Sequence, residues 1–500
     1  MQESNTLDRA REYETKHRAA RAERPVFHIT APVGWCNDPN GWSCYQGQYH
    51  LFYQYHPYSK NWGPMHWGHA ATADFLTWKD LPCALAPDSS FDAAGCFSGG
   101  AIEWKGRQLV LYTGVMKEGD SEIQQQCLAL GDGENYQKAA HVVIDCEQQP
   151  EGFSRRDFRD PCLFEKNGIL YALIAGRGSN GHGRLLLYSN AHPEDSASAW
   201  EYVQTIAEND GSLGSMWECP NIFELDGKTV IIISPQFAQQ ARDNRYHCGN
   251  DTAALIGHWG GPNTPFVQKS DSPLDYGLDF YAPQTLLTPD GRRVMIGWMQ
   301  NWDHCYPEDR LGWYGQMTLP RELFWQDDVL CQRPVRELDQ ARRLRVSHEN
   351  VAVSGQSVTL DQVRGRVLDC DIEVHVEQAQ RFGIRFACGD GHWSEVRMDF
   401  DDKVLRIDRR HAGGCRDALE LREVPLVQVN DTLRLRMVLD RYSAEFFLQD
   451  GRQVASMTIY PTAENADRIE FFAKGTCTMN LKLYDLALGE DGASCTEKTV

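Results

Sequence analysis

The sequence predicts an all-β chain, a five-bladed β-propeller followed by a C-terminal β-sandwich. Three observations carry that prediction. Short β-branched and aromatic runs recur between turn residues, and helical periodicity is scarce between residues 25 and 325. Polar-Gly pairs stand at Gln46-Gly47, Lys105-Gly106, Asn167-Gly168, Asp226-Gly227 and Asp290-Gly291, each ahead of an apolar strand. Their spacing is roughly 60 residues, which suits one four-stranded blade with its loops. A long sandwich is the competing reading of that spacing, which favours the propeller.

Residues 1–24 read as a polar extension, a charged helix or frayed tail in which Arg9, Arg11, Lys16, Arg18, Arg21 and Arg24 are mixed with acids. Residues 25–325 hold the propeller, with strands at 49–55, 108–113, 124–130, 170–175, 184–189, 228–234, 253–259 and 293–299. The composition shifts after Thr318-Leu319-Pro320-Arg321-Glu322-Leu323, and residues 326–345 read as a charged, polar linker. From 346 to 500, short alternating strands return with frequent turns and no helical stretch between them, as in a sandwich.

A chain of 500 residues exceeds one ordinary core, so at least two domains are expected. The net charge of -20 argues against nucleic acid and anionic membrane as partners, and leaves a small neutral sugar open. No apolar run reaches membrane-spanning length, and residues 1–24 contain no apolar core of a secretory signal. The 16 cysteines are dispersed without a Cys-x-x-Cys pair, as expected of reduced thiols in the cytoplasm.

Three acids carry the chemistry. Asp38 lies in Asn37-Asp38-Pro39-Asn40-Gly41, after Trp35-Cys36. Turn amides favour its ionised form, so a low-pKa nucleophile is expected; an Asx-turn opening a hairpin is the plainer alternative. Trp35 and Trp42 beside it suit sugar platforms. Glu218 lies in Trp217-Glu218-Cys219-Pro220, where an apolar shell is expected to raise its pKa as a general acid requires. Its alternative is an edge-strand acid paired with an Arg. Asp160 follows Arg159, which is expected to keep it ionised and fit to bind substrate hydroxyls; its alternative is a structural salt bridge. Together the three suggest one acidic pocket of the kind a retaining glycoside hydrolase uses.

The chain resembles family 32 of the glycoside hydrolases, the invertase and β-fructofuranosidase group. The matching segments are Trp35-Cys36-Asn37-Asp38-Pro39-Asn40-Gly41, Phe52-Tyr53-Gln54-Tyr55, His66-Trp67-Gly68-His69-Ala70, Phe97-Ser98-Gly99, Phe158-Arg159-Asp160-Pro161, Trp217-Glu218-Cys219-Pro220, Phe280-Tyr281-Ala282-Pro283-Gln284, Thr318 to Leu323 and Asp440-Arg441-Tyr442-Ser443-Ala444-Glu445-Phe446. The resemblance implies a five-bladed propeller followed by a sandwich. It implies Asp38 as nucleophile, Glu218 as acid and base, and Asp160 as a transition-state stabiliser. Asn37, Gln54, Trp62, Phe97, Ser98, Arg159 and Tyr281 would line the fructose subsite, and Trp35 and Trp298 are further substrate-binding candidates. Gly100 and Asn221 depart from the commoner family residues, Ser or Thr and Asp.

The expected function is cytoplasmic, retaining hydrolysis of sucrose or sucrose 6-phosphate, with short fructooligosaccharides also open. Lys117, His304 and Arg310 are the candidates for a substrate phosphate. Fructosyl transfer by the same acids, and a non-catalytic carbohydrate-binding protein, are the alternatives. No cofactor or metal is expected. His66 and His69 have ligand-like spacing but no third partner at a zinc interval. Gly176-Arg177-Gly178-Ser179-Asn180-Gly181 matches a dinucleotide-loop pattern, yet a strand rather than a helix is expected next.

Overall fold

The computed structural model describes residues 6–238, 244–304, 310–413, 419–461, 463 and 465–488. Five sheets ring an axis. Their first strands are Gly34–Tyr45, Gly95–Trp104, Phe153–Lys166, Met216–Leu225 and Tyr281–Leu287, which face one another around the centre. The polar-Gly pairs each join the first and second strands of one blade. At Gln46-Gly47, Lys105-Gly106, Asn167-Gly168 and Asp226-Gly227 both residues have φ between 48° and 79°, the geometry of a type I′ hairpin. The periodic signal therefore marks one hairpin per blade. The dinucleotide-like loop also joins two antiparallel strands, with Arg177 paired to Gly183.

The ring closes at residues 313–317. Trp313-Tyr314 pairs in parallel with Gly34-Trp35, and Gln316 bridges Thr30. The residues meant for a linker (326–345) are instead mostly regular structure. Val329–Pro334 is the outer strand of the fifth blade, Arg336–Ala341 is a helix, and Arg342–Val358 already belongs to the sandwich. The turn that was missed is Asp327-Asp328, whose φ values of 48° and 60° make an I′-like corner without glycine. At the other end, the polar extension contains the helix Leu7–His17, docked on the first blade. Glu14 is buried there and accepts from the Cys83 amide at 3.1 Å, while Arg18 and Arg24 both pair with Asp80 at 2.6 Å.

The C-terminal domain is a ten-stranded sheet folded over one core. Its strand Arg468–Leu486 pairs with Arg381–Gly389 through one half and with Leu368–His375 through the other. Phe386 and Phe446 meet edge-on across the core, 5.4 Å between centroids. No helix among the described residues is long and apolar enough to cross a membrane.

Buried ions join the two domains. Arg321 of the fifth blade is fully buried and pairs with Asp275 at 2.9 Å and with Glu445 of the sandwich. Glu445 also accepts from His28 Nε2 at 2.8 Å, and His28 Nδ1 donates to Asp440 at 3.0 Å. Asp440 further accepts the backbone amides of Val26, Phe27 and His28.

Candidate active site

The side chains of the three acids come from the first strands of the first, third and fourth blades, and they converge on one axial cavity of about 450 Å³. A shared local device aims them. Four of the five first strands bulge at an X-Pro step: Asp38-Pro39, Asp160-Pro161, Cys219-Pro220 and Ala282-Pro283. In the second blade the register slips between Phe97 and Gly99, at Ser98. A bulge tolerates the missing proline donor and turns neighbouring side chains out of the ladder. Asp160, Cys219 and Ala282 take left-handed φ values of 63°, 47° and 49°, uncommon for residues with side chains.

Each of those three displaced amides is captured by the preceding blade. Asp160 N donates to Thr113 Oγ1 at 3.0 Å, Cys219 N to Asp160 Oδ2 at 3.0 Å, and Ala282 N to Ser234 Oγ at 3.2 Å. The blades thus fix one another's strain exactly where the acids sit. Asn221 works the same seam, accepting from Thr285 N and donating to Pro283 O of the fifth blade. Gly100 is explained as well: a Cβ there would lie 2.8 Å from the Pro161 carbonyl.

Asp38 Oδ2 accepts from Ser98 Oγ at 2.8 Å, and Oδ1 accepts from Asn37 Nδ2 at 3.1 Å. The Cys219 thiol lies 3.6 Å from both Asp38 Oδ2 and Asp160 Oδ2, so these oxygens are within about 7 Å of each other. Glu218 Oε1 takes Arg159 at 2.9 Å, and Oε2 takes the Tyr281 hydroxyl at 2.8 Å. Its shell is therefore polar, where an apolar one was expected from Trp217 and Pro220.

The charge states also differ from expectation. Burial and repulsion from Glu218 push Asp38 up to about 6, against the hydrogen bonds from Asn37 and Ser98. Burial and the same repulsion push Asp160 up to about 7, although Arg159 opposes them. Local turn chemistry and the adjacent Arg were the wrong scale for both residues. The crowding of carboxylates in a desolvated cup outweighs them.

Of the predicted subsite residues, Asn37, Gln54, Trp62, Phe97, Ser98 and Arg159 line the cavity. Trp35, Tyr281 and Trp298 are buried and are not among the lining residues. Trp35 Nε1 donates to Asn37 Oδ1 at 2.7 Å, and Tyr281 holds Glu218. Trp298 is fully buried, 5.0 Å from the ring of Trp302, which is the tryptophan that reaches the cavity. Trp298 ends the strand Arg293–Trp298, whereas Trp302 opens the short 3-10 turn Trp302–His304 beyond it. Gln124, Asp157, Arg156, Arg177 and Phe237 also line the cavity and were not singled out. Two of the phosphate candidates do not line it: Lys117 is exposed, opposite Glu122 in its hairpin, and Arg310 donates to Pro461 O at 2.8 Å. The His304 side chain lies outside the described residues.

Comparison with known proteins agrees with this architecture. The model for the glycosyl hydrolases family 32 N-terminal domain matches residues 28–334, and that for the family 32 C terminal matches residues 337–485. Raffinose invertase of Escherichia coli is 35% identical over 460 residues, covering 90% of this chain and 92% of that protein. Sucrose-6-phosphate hydrolase of the same species is 34% identical over 462 residues, covering 91% and 93%. The family 32 β-fructofuranosidase structure from Bombyx mori superposes with a TM-score of 0.81 at 32% identity, covering 96% of this chain and 98% of that one. With both domain models matched in order along the same propeller and sandwich, the chain belongs to glycoside hydrolase family 32.

Proposed function

We propose that the protein is a retaining β-fructofuranosidase that hydrolyses sucrose or sucrose 6-phosphate. The observation that carries this reading is the convergence of Asp38, Asp160 and Glu218 on one cavity. Ionised Asp38 attacks the anomeric carbon of the fructosyl unit while Glu218 gives its proton to the departing glycosidic oxygen. The fructosyl–Asp38 ester forms and the aldose leaves. Glu218 then takes a proton from water, which breaks the ester and frees fructose with its configuration retained. Asp160 binds fructose hydroxyls, and Arg159 and Tyr281 position Glu218. The remaining subsite contacts come from Asn37, Gln54, Trp62, Phe97 and Ser98.

A panel of sucrose, its 6-phosphate, kestose, inulin and levan tests the substrate. Free fructose of retained configuration from the first two is expected. Predominant trisaccharide at high sucrose would make the enzyme a transferase, and failure to release fructose from any of them would end the reading. The cysteines among the described residues are all free thiols, which supports a reducing compartment, the cytoplasm.

The acid limb of the pH profile follows from Asp38. Only its ionised form attacks, so kcat/KM is expected to fall as pH drops through about 6. Ser98→Ala removes a hydrogen bond that favours the ionised form. It should move that limb to higher pH by roughly one unit or more. An unmoved limb would dissociate it from Asp38.

A further inference from the structure

Three guanidinium groups line the cavity, and two are committed. Arg159 holds Glu218, and also contacts Asp157 at 3.3 Å. Arg177 lies 3.8 Å from Asp157 and donates to Gly181 O at 3.0 Å. Arg156 differs. Its backbone is fixed, with N donating to Ser154 Oγ at 3.3 Å, but its exposed guanidinium forms no ion pair among the described residues. The neighbouring Arg155, which does not line the cavity, is paired with Glu118 and Glu147.

Local backbone geometry presents Arg156 to the cavity. Phe153 pairs with Gly178 and Phe158 with Gly176, so residues 154–157 bulge opposite Arg177 at the mouth. Arg156 stands four residues before Asp160 on the same strand, at most about 13 Å along it. That interval suits one hexose ring carrying a phosphoester beyond the scissile bond. The electrostatics demand such a partner for any anionic substrate. Asp38, Asp160, Glu218, Asp157 and Glu122 all line this cavity, so a phosphate dianion is repelled unless an uncommitted cation meets it at the mouth. A guanidinium matches phosphate oxygens two at a time. Relatives named for raffinose and for sucrose 6-phosphate are 35% and 34% identical, so overall likeness does not separate the two substrates.

We propose that Arg156 is the specificity residue for a phosphorylated leaving group, its guanidinium holding the 6-phosphate of the departing aldose while the acids act on the fructosyl bond. The proposal rests on the β-fructofuranosidase reading of the same site.

The test is kcat/KM for sucrose 6-phosphate and for sucrose, measured on the wild type, Arg156→Gln and Arg156→Lys. The wild type should prefer the phosphorylated substrate. Arg156→Gln should lower the ratio of the two values by about ten- to one-hundred-fold, through KM, and Arg156→Lys should restore part of it. A wild-type ratio near one, or a ratio unchanged in Arg156→Gln, overturns the proposal. A merely structural role would depress both substrates together and leave the ratio fixed. If the wild type released no fructose from either sugar, the underlying reading would fail instead, and the two failures are distinguishable.

Discussion

Asp38→Asn is expected to lose about four orders of magnitude or more in kcat for sucrose while remaining folded. The amide keeps the shape of the carboxylate but cannot form the fructosyl ester. Glu218→Gln should lose a comparable amount on sucrose, whose departing oxygen needs a proton. The two variants separate on an aryl β-fructofuranoside whose leaving group needs none. Glu218→Gln should then release one equivalent of phenol in a burst and stall, because water still lacks its base. Asp38→Asn should show no burst. Circular dichroism of both variants should match the wild type. Wild-type turnover in either would remove the double displacement.

Arg321→Met is expected to cost about 3–5 kcal/mol of stability, read from chemical denaturation. Arg321 is fully buried against Asp275 and Glu445, and methionine fills its volume while stripping Asp275 of its ion partner and leaving Glu445 with His28 alone. The same network sets a pH window. Burial alone would lower the His28 pKa, yet its bonds to Asp440 and Glu445 push it up to about 9. Its contribution is therefore complete below about 6.5 and is lost as pH rises through 9. Asp440 is held down to about 2, against its burial, by His28 and the amides of Phe27 and Val26. That contribution is present above the ordinary carboxylate range and is lost as pH falls through about 2. Domain separation should thus appear at alkaline pH before the propeller itself melts. A denaturation midpoint for Arg321→Met equal to the wild type would show that the network contributes nothing.

The legible parts of the fold were those written in local backbone chemistry. Gln46-Gly47 and its repeats announce I′ hairpins because glycine accepts left-handed φ without cost. Asp327-Asp328 makes the same corner with residues that usually avoid it, so the last strand of the fifth blade was read as linker. In the site, the motif residues were legible but their depth was not. Trp298 and Trp302 look alike in sequence, and only the fifth blade's packing decides which meets the cavity. The elevated pKa of Asp38 likewise arises from Glu218, 180 positions away, and from burial that no neighbouring residue announces. Arg156 was passed over for a third reason: what sets it apart is an ionic partner it lacks, whereas Arg155 beside it has two.

The clasp between Asp440 and the amides of Val26, Phe27 and His28 has a consequence during synthesis. Its halves are separated by 412 to 414 residues, an interval a ribosome needs roughly 20–80 s to translate. Through that time the nascent propeller must wait with its entry segment unclasped and Arg321 without Glu445. Newly made chains should therefore lean on chaperones until release, and stalling translation late in the sandwich should leave an aggregation-prone, inactive product.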